Sequence, residues 1–206
     1  MVRRLLSAGG VARHARPLVT RSVCVFCGSA PGARPSYSRA AEDLGAAFAR
    51  AGITLVYGGG RLGLMGIVAD ATLKAGGRVI GVIPRMLIER ELAHPTLTRQ
   101  HVVDTMHERK TLMADMSDGF VGLPGGMGTF DELVEIVTWA QLGLHAKPVI
   151  LANIENYFAP MYAMLDYAVQ EKFVTAESRA RWRNAESITD VMRILSKEGL
   201  TEAGIP

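Results

Sequence analysis

Two glycine-rich segments carry the residues of this chain best suited to chemistry. Residues 57–66 read YGGGRLGLMG and residues 123–132 read LPGGMGTFDE, and each stands between an apolar run and a helical pattern. Glycines let backbone N–H groups approach an anion at a helix N-terminus, where the helix dipole also favours negative charge. Both segments therefore predict contact with phosphate. The alternative for the first segment is a tight strand-to-helix turn that holds no ligand.

The first segment contains the pattern G-x-G-x-x-G at Gly58, Gly60 and Gly63. A dinucleotide site would also need an acidic residue at the end of the next strand, to bind the ribose. That strand reads VIGVIP over residues 79–84 and contains no acid, and Asp70 comes too early. The pattern predicts phosphate contact at Gly59 and Gly60 but argues against NAD.

The second segment offers a nest of donors followed by a carboxylate. Its glycines expose successive N–H groups, Thr129 adds a hydroxyl, and no Lys follows the last glycine as in a Walker A loop. Glu132 falls one turn into the helix, where it could bind sugar hydroxyls or align a water. The alternative is that Glu132 only complements the helix dipole. The nest glycines are Gly125, Gly126 and Gly128.

Two further features lie near strand or helix ends. Arg109 and Lys110, in the segment MHERK, would add positive charge beside the nest, unless they belong to an ordinary solvated helix face. Gly28 and Ser29 form a third candidate anion-contacting turn. The preceding Cys24 and Cys27 are predicted to be structural thiols, because no second ligand pair completes a metal site.

These segments need a framework of alternating strands and helices. Apolar runs predict strands that are covered on both faces, and helical patterns lie between them, with Ser36 as a candidate cap of the first helix and Gly52 just beyond its end. We therefore expect an α/β fold: a single-domain, Rossmann-like, doubly wound parallel sheet with helices on both faces. Residues 84–105 should be irregular with one short strand, and one or two outer helices should lie within 176–197. The predicted strands are 23–26, 53–57, 79–83, 120–123 and 149–151, and the predicted helices are 36–51, 63–75, 106–117, 128–142 and 157–171.

Charge and composition narrow the function classes. Residues 1–41 hold seven Arg and no acid, whereas residues 42–206 hold sixteen basic and twenty acidic residues, a net charge of −4. The body of the chain therefore gives no support for nucleic-acid binding. No apolar run reaches 18 residues, so we expect no membrane span, and two Cys in 206 residues favour a reducing compartment such as the cytoplasm.

The same pattern sets the expected domain limits. We expect a basic, disordered leader at 1–21, a nucleotide-binding Rossmann-like domain at 22–198 and a tail at 199–206. Organelle targeting by residues 1–20 is the alternative for the leader.

By its motifs the chain resembles the LONELY GUY family, the cytokinin-activating phosphoribohydrolases once classified as lysine decarboxylases. The family pattern P-G-G-x-G-T-x-x-E stands here at residues 124–132, and the resemblance runs from about residue 22 to 195. Further agreement lies in Cys27-Gly-Ser29, Tyr57-Gly-Gly-Gly60, Gly63-Leu-Met-Gly66, Met106-His-Glu-Arg-Lys110, Thr138-Trp-Ala-Gln-Leu-Gly143 and Lys147-Pro148.

The resemblance implies hydrolysis of the N-glycosidic bond of N6-modified adenosine 5′-monophosphates, and of AMP, without cofactor or metal. It implies a homodimer or an assembly of dimers, with sites near the subunit interface. Arg109 and Glu132 match the family's catalytic positions. Met127 departs from the family's common Tyr, and Phe130-Asp131 from its frequent Leu-Glu. The positions matching substrate contacts are Glu91, Lys110, Gly126, Met127, Gly128, Thr129, Phe130, Asp131 and Thr138.

Two rival functions can be weighed from the residues. A non-catalytic nucleotide-binding module would use the same glycine-rich turns, and only turnover distinguishes it from the hydrolase. A pyridoxal-dependent decarboxylase would need a cofactor-linked Lys, and none of the five lysines lies in such a context. We therefore reject the decarboxylase.

Overall fold

Seven parallel strands form one sheet with the order β4-β3-β2-β1-β5-β6-β7. The structure, a computed structural model, describes residues 21–88 and 92–201. The strands are β1 Ser22–Phe26, β2 Thr54–Tyr57, β3 Val79–Pro84, β4 Arg99–Val103, β5 Gly119–Gly122, β6 Val149–Ala152 and β7 Trp182–Ala185.

Helices connect the strands and cover both faces of the sheet. They are α1 Pro35–Arg50, α2 Gly63–Lys74, α3 Arg85–Ile88, α4 Met106–Asp115, α5 Met127–Gln141, α6 Ala159–Gln170, α7 Ala176–Ala180 and α8 Ile188–Lys197, with a 3₁₀ turn at Ile154–Asn156. Residues of α1, α2 and α8 share one buried apolar cluster, and residues of α4, α5 and α6 share another. The predicted doubly wound architecture is confirmed.

Alternation along β1 shows how one strand serves both clusters. Val23 and Val25 belong to the cluster on the α1 face, whereas Cys24 and Phe26 belong to the opposite cluster. Successive side chains of a strand point to opposite faces, so a continuous apolar run is what a doubly covered strand requires. Both cysteines are free and buried, as expected for structural thiols.

The predicted elements are present with ends that differ by at most two residues, but one capping prediction was wrong. Ser36 does not cap α1: Arg34 occupies the N-cap position and Pro35 begins the helix. Proline is well suited to the first helical position because its missing N–H has no partner there. Gly52 follows the end of α1 with φ of +67°, which agrees with its predicted role.

The sequence predicted the two edge strands, β4 and β7, less well than the central strands. Within 84–105 the structure has the short helix α3 and the expected strand, β4. The region 176–197 contains α7 and α8 but also β7, which was not predicted. The β7 residues read WRNA and form no apolar run, since only Trp182 and Ala185 are buried.

The strand order reverses direction at β1, which lies between β2 and β5. Ligands of such sheets bind beyond the carboxyl ends of the strands at this switch point. Both glycine-rich segments and the Gly28 turn follow these three strands, so the fold gathers them in one crevice. Among the described residues, no helix is long and apolar enough to cross a bilayer. Residues 1–20, which make up nearly all of the predicted leader, lie outside the described residues, as do residues 202–206 of the predicted tail.

Candidate active site

A cavity of about 290 Å³ opens at the switch point. Gly28 and Ser29 border one side and Gly125 and Gly126 another, and Tyr157 completes the wall. The two turns pack closely: a Cβ on Gly28 would lie 3.2 Å from the Gly125 Cα. The Gly28 turn and the nest, predicted separately from sequence, thus face one space.

The N-terminus of α5 is left open toward ligands. Gly126 is its N-cap residue and supplies no side-chain hydrogen bond. By contrast, Thr105 caps α4 and Ser187 caps α8 through their hydroxyls. The first N–H groups of a helix have no partner within the helix, and without a capping side chain they are available to an anion.

Arg109 is a buried cation with fixed orientation, and its residue exposure is only 7%. Nε donates to the Val82 carbonyl at 3.2 Å, and Nη2 donates to the Gly58 carbonyl at 3.0 Å. Gly58 must be glycine for this arrangement, since a Cβ there would lie 1.8 Å from Nη2. A guanidinium has five N–H donors, so these two bonds leave further donors for other partners.

Glu132 lies beside this guanidinium. Its Oε1 is 3.8 Å from Arg109 Nη1, and its side chain is 11% exposed. Burial raises the pKa of Glu132 to about 7, although the Arg109 charge lowers it. A carboxyl that titrates near neutrality can serve in proton transfer or as a local negative charge.

Lys110 is held by two other carboxylates of α5. Its Nζ lies 3.1 Å from Asp131 Oδ2 and 2.8 Å from Glu135 Oε2. These bonds raise the pKa of Lys110, with the Glu135 hydrogen bond as the largest cause. In the structure both predicted cations lie beside acidic residues of α5: Arg109 beside Glu132, and Lys110 beside Asp131 and Glu135.

The first glycine-rich segment supports the site from the neighbouring strand. The Gly59 carbonyl accepts the His94 N–H at 2.9 Å, and the Gly60 carbonyl accepts the Tyr57 hydroxyl at 3.0 Å. Gly63 faces the Gly28 turn so closely that a Cβ would lie 2.3 Å from the Ala30 nitrogen. Gly59 and Gly60 are thus engaged with neighbouring backbone and a tyrosine, while Gly58 reaches Arg109.

Several predicted site residues, Arg109 and Glu132 among them, do not line this cavity, and one lies outside the described residues. Met127 is 82% exposed at the start of α5, and Thr138 is exposed about three turns further along. Thr129 is buried beneath the nest and Phe130 is half-buried. Glu91 lies outside the described residues. Among residues 21–88 and 92–201, no group of three or more His, Cys, Asp or Glu is arranged to hold a metal.

Sequence reasoning missed Tyr157. Its hydroxyl donates to the Gly125 carbonyl, and its ring stacks on Phe130 with centroids 6.4 Å apart. Residue type and spacing gave no signal for it, because Tyr157 follows β6 and lies 32 positions from Gly125.

The fold and these turns define the class: a Rossmann-like α/β protein with open glycine-rich strand-to-helix turns at the switch point of its sheet. Solved structures with the same architecture include a molybdenum cofactor binding protein from Rippkaea orientalis, with a TM-score of 0.65 and 22% identity over 88% of this chain and 98% of that one. The Moco carrier protein from Chlamydomonas reinhardtii gives a TM-score of 0.66 and 20% identity over 86% and 96%. At such identities the likeness concerns the fold.

Sequence comparison is more specific. The family model described as "Possible lysine decarboxylase" matches residues 65–195. A cytokinin riboside 5′-monophosphate phosphoribohydrolase from Rhodococcoides fascians is 47% identical over 86% of this chain and 90% of its own length. A relative of the same name from Arabidopsis thaliana is 45% identical over 86% and 82%. The chain belongs to the LONELY GUY family.

Proposed function

We propose that the protein hydrolyses the N-glycosidic bond of N6-modified adenosine 5′-monophosphates, and of AMP. Water adds to C1′ of the ribose as the bond from C1′ to N9 of the base breaks. The water oxygen remains on C1′, the base leaves with a proton, and the products are free base and ribose 5-phosphate. No cofactor or metal takes part in this reaction.

One observation carries this proposal: a buried carboxylate and a buried guanidinium meet beside an open helix N-terminus. The N-terminus of α5 suits a phosphate, because its N–H groups lack capping side chains. Glu132 follows one turn later in the same helix, with Arg109 beside it.

Glu132 has the chemistry that the ribose needs. Glycosidic cleavage passes through a transition state with oxocarbenium character, so an anion near C1′ lowers the barrier. The ionised Glu132 carboxylate can stabilise this charge and orient the attacking water. Because Glu132 is buried, its charge is weakly screened by solvent.

Arg109 acts on the leaving base in this scheme. Its bonds to the Val82 and Gly58 carbonyls hold the guanidinium still, so the remaining N–H donors are preorganised. We assign to Arg109 the binding of the nucleotide and the neutralisation of charge on the leaving base. Lys110, paired with Asp131 and Glu135, keeps the charge around Glu132 balanced.

The remaining predicted substrate contacts belong to the same proposal. Gly28, Ser29, Gly125, Gly126, Gly128 and Thr129 would surround the phosphate, while Phe130 and Asp131 would influence the preference for the base. Gly59 and Gly60 are assigned from the glycine-rich pattern after β2, and Glu91 is assigned by resemblance to the family. The preference for N6-modified bases follows from the names of the relatives, which are cytokinin riboside 5′-monophosphate phosphoribohydrolases.

We further propose that the protein is a homodimer, or an assembly of dimers, built on the outer face of α5. Met127, Val134 and Leu142 recur on one side of α5 with exposures of 82%, 46% and 68%. Thr138 lies on the same side and is exposed. Pairing through this face would cover the apolar side chains and bring Thr138 toward a partner's site.

Location and domain limits are proposals as well. Both cysteines are free and buried, which suits a reducing compartment, and we propose the cytoplasm. Residues 22–198 would form the hydrolase domain.

The alternative is a nucleotide-binding module without turnover, since the same nest would bind AMP. Purified protein should be incubated with isopentenyladenosine monophosphate, AMP and unphosphorylated isopentenyladenosine, followed by chromatography of the free base. We expect base and ribose 5-phosphate in equal amounts from the first substrate, and little base from the nucleoside, which lacks the anchoring phosphate. Binding of both nucleotides without base release would establish the alternative. Base from AMP alone would retain the hydrolase and remove the cytokinin preference.

A further inference from the structure

The carbonyls of the turn before α5 are held by two donors from outside it. The Gly28 N–H donates to the Pro124 carbonyl at 3.1 Å. The Tyr157 hydroxyl donates to the next carbonyl, that of Gly125. The first donor comes from the turn after β1 and the second from the turn after β6, so both carbonyls are fixed by neighbouring strand ends.

Fixing a carbonyl also fixes the N–H of the following residue. A peptide unit is planar, and in its trans form C=O and N–H point in opposite directions. When Tyr157 holds the Gly125 oxygen, the Gly126 N–H is turned away from that hydroxyl. The bond also prevents the Gly125 oxygen from rotating toward an anion, where its partial negative charge would oppose binding. This control matters most at a glycine, which otherwise has wide backbone freedom.

Tyr157 itself is placed by a constrained turn. Glu155 and Asn156 adopt left-handed φ angles of 53° and 59°, which are unfavourable for residues with a Cβ. The Asn153 side chain accepts the Phe158 N–H at 2.7 Å and closes this turn. The Tyr157 ring then packs edge-on against Tyr37, with centroids 5.7 Å apart. The turn geometry, the hydrogen bond that closes the turn and the ring packing together fix the position of the Tyr157 hydroxyl.

We infer that Tyr157 is a positioning residue for the phosphate site, acting through the Gly125–Gly126 peptide. The inference rests on the proposed function, since it takes the 5′-phosphate as the anion held by the nest. Its expected effect is on binding: the phosphate contact is the same in ground and transition states, so its loss should raise KM and leave kcat unchanged.

The test is Tyr157→Phe, which keeps the ring and removes the hydroxyl. One neutral hydrogen bond corresponds to about a two- to tenfold change. We expect KM for isopentenyladenosine monophosphate and the Kd of ribose 5-phosphate, measured by calorimetry, to rise by that factor. The Kd of adenine, which has no phosphate, should not change. Tyr162→Phe is the matched control, because the Tyr162 hydroxyl is buried without a hydrogen-bond partner in the described chain.

Unchanged ribose 5-phosphate binding in Tyr157→Phe would overturn the inference. A fall in kcat at constant KM would also overturn it, because that pattern indicates a partly inactive protein rather than a misplaced donor. If wild-type protein releases no base from any nucleotide, the proposed function fails. The ribose 5-phosphate Kd still decides the role of Tyr157 in that case, since it does not depend on turnover.

Discussion

Arg109 Nη1 and Glu132 Oε1 lie 3.8 Å apart, although both side chains are almost completely buried. Direct charge-assisted hydrogen bonds are about 2.7–2.9 Å long, so Arg109 and Glu132 are neighbours but form no direct hydrogen bond between these two atoms. Arg109 is held by two backbone carbonyls rather than by Glu132. Each partner therefore remains able to contact a ligand, which is the basis of the proposed mechanism.

The pH dependence of turnover should report the ionisation of Glu132. Burial raises its pKa in the ligand-free protein to about 7, and the proposed role needs the carboxylate, so kcat/KM should rise with pH through about 7 and then level off. Initial rates between pH 5 and 9 measure this limb. Asp131 contributes to the raised pKa of Glu132, so Asp131→Asn should move the limb to lower pH. A flat profile between pH 5 and 8, or a limb unmoved by Asp131→Asn, would contradict this assignment.

The same group should make stability depend on pH. The folded protein holds the Glu132 proton with a pKa of about 7, against 4.5 for an ordinary glutamate. The stability that this proton contributes is fully present below pH 4.5 and is lost as pH rises through 7. Glu132→Gln lacks this loss, so its unfolding free energy relative to wild type should increase by roughly 2.5 kcal/mol between pH 5 and 8. Urea titrations at both pH values measure the difference, and a constant difference would show that Glu132 is not perturbed.

Gly58→Ala should displace Arg109. The added Cβ would lie 1.8 Å from Nη2, and the Gly58 carbonyl is the acceptor of that same group, so the guanidinium must leave its bond. We expect at least a tenfold loss of base release, in keeping with the 10²–10³ typical of a lost transition-state donor. Combining Gly58→Ala with Arg109→Ala provides the control, since the double variant should be no slower than Arg109→Ala alone. Additive losses would mean that Gly58 acts independently of Arg109.

The proposed dimer face can be tested with one substitution and a matched control. Val134→Glu places a charge in the centre of the exposed apolar side of α5, and sedimentation should show a shift to monomer. Val102→Glu makes the same change on the edge strand β4, at an identical exposure of 46%. It should leave the assembly unchanged. Dimers that survive Val134→Glu would exclude this face.

The central strands and the glycine-rich turns that follow them could be predicted from sequence because their signals are local. A strand covered on both faces needs a continuous apolar run, and a phosphate turn needs glycines before a helix, so residues 123–132 reveal both at once. The edge strand β7 lacks such a run, which is why the sequence did not indicate it. The first helix begins at Pro35, one residue earlier than predicted, so Ser36 lies inside the helix and does not cap it. Proline and serine both favour the first turn of a helix, and the sequence alone did not distinguish their positions.

The contacts that orient the site depend on distant parts of the chain. Arg109 reaches Gly58 across 51 positions and Val82 across 27, and Tyr157 reaches Gly125 across 32. Only the closing of the sheet brings these atoms together. The pairing of Lys110 with Asp131 and Glu135 has the same origin, since α4 and α5 are brought together by β5 between them.

The initial rate of base release from isopentenyladenosine monophosphate, compared among wild type, Arg109→Ala and Glu132→Gln, tests the central claim most directly. If the pair carries the chemistry, each variant should retain its circular dichroism spectrum and lose about 10²–10³ in rate, equivalent to ~3–4 kcal/mol of transition-state stabilisation. A folded Arg109→Ala or Glu132→Gln protein that releases base at the wild-type rate would contradict the account.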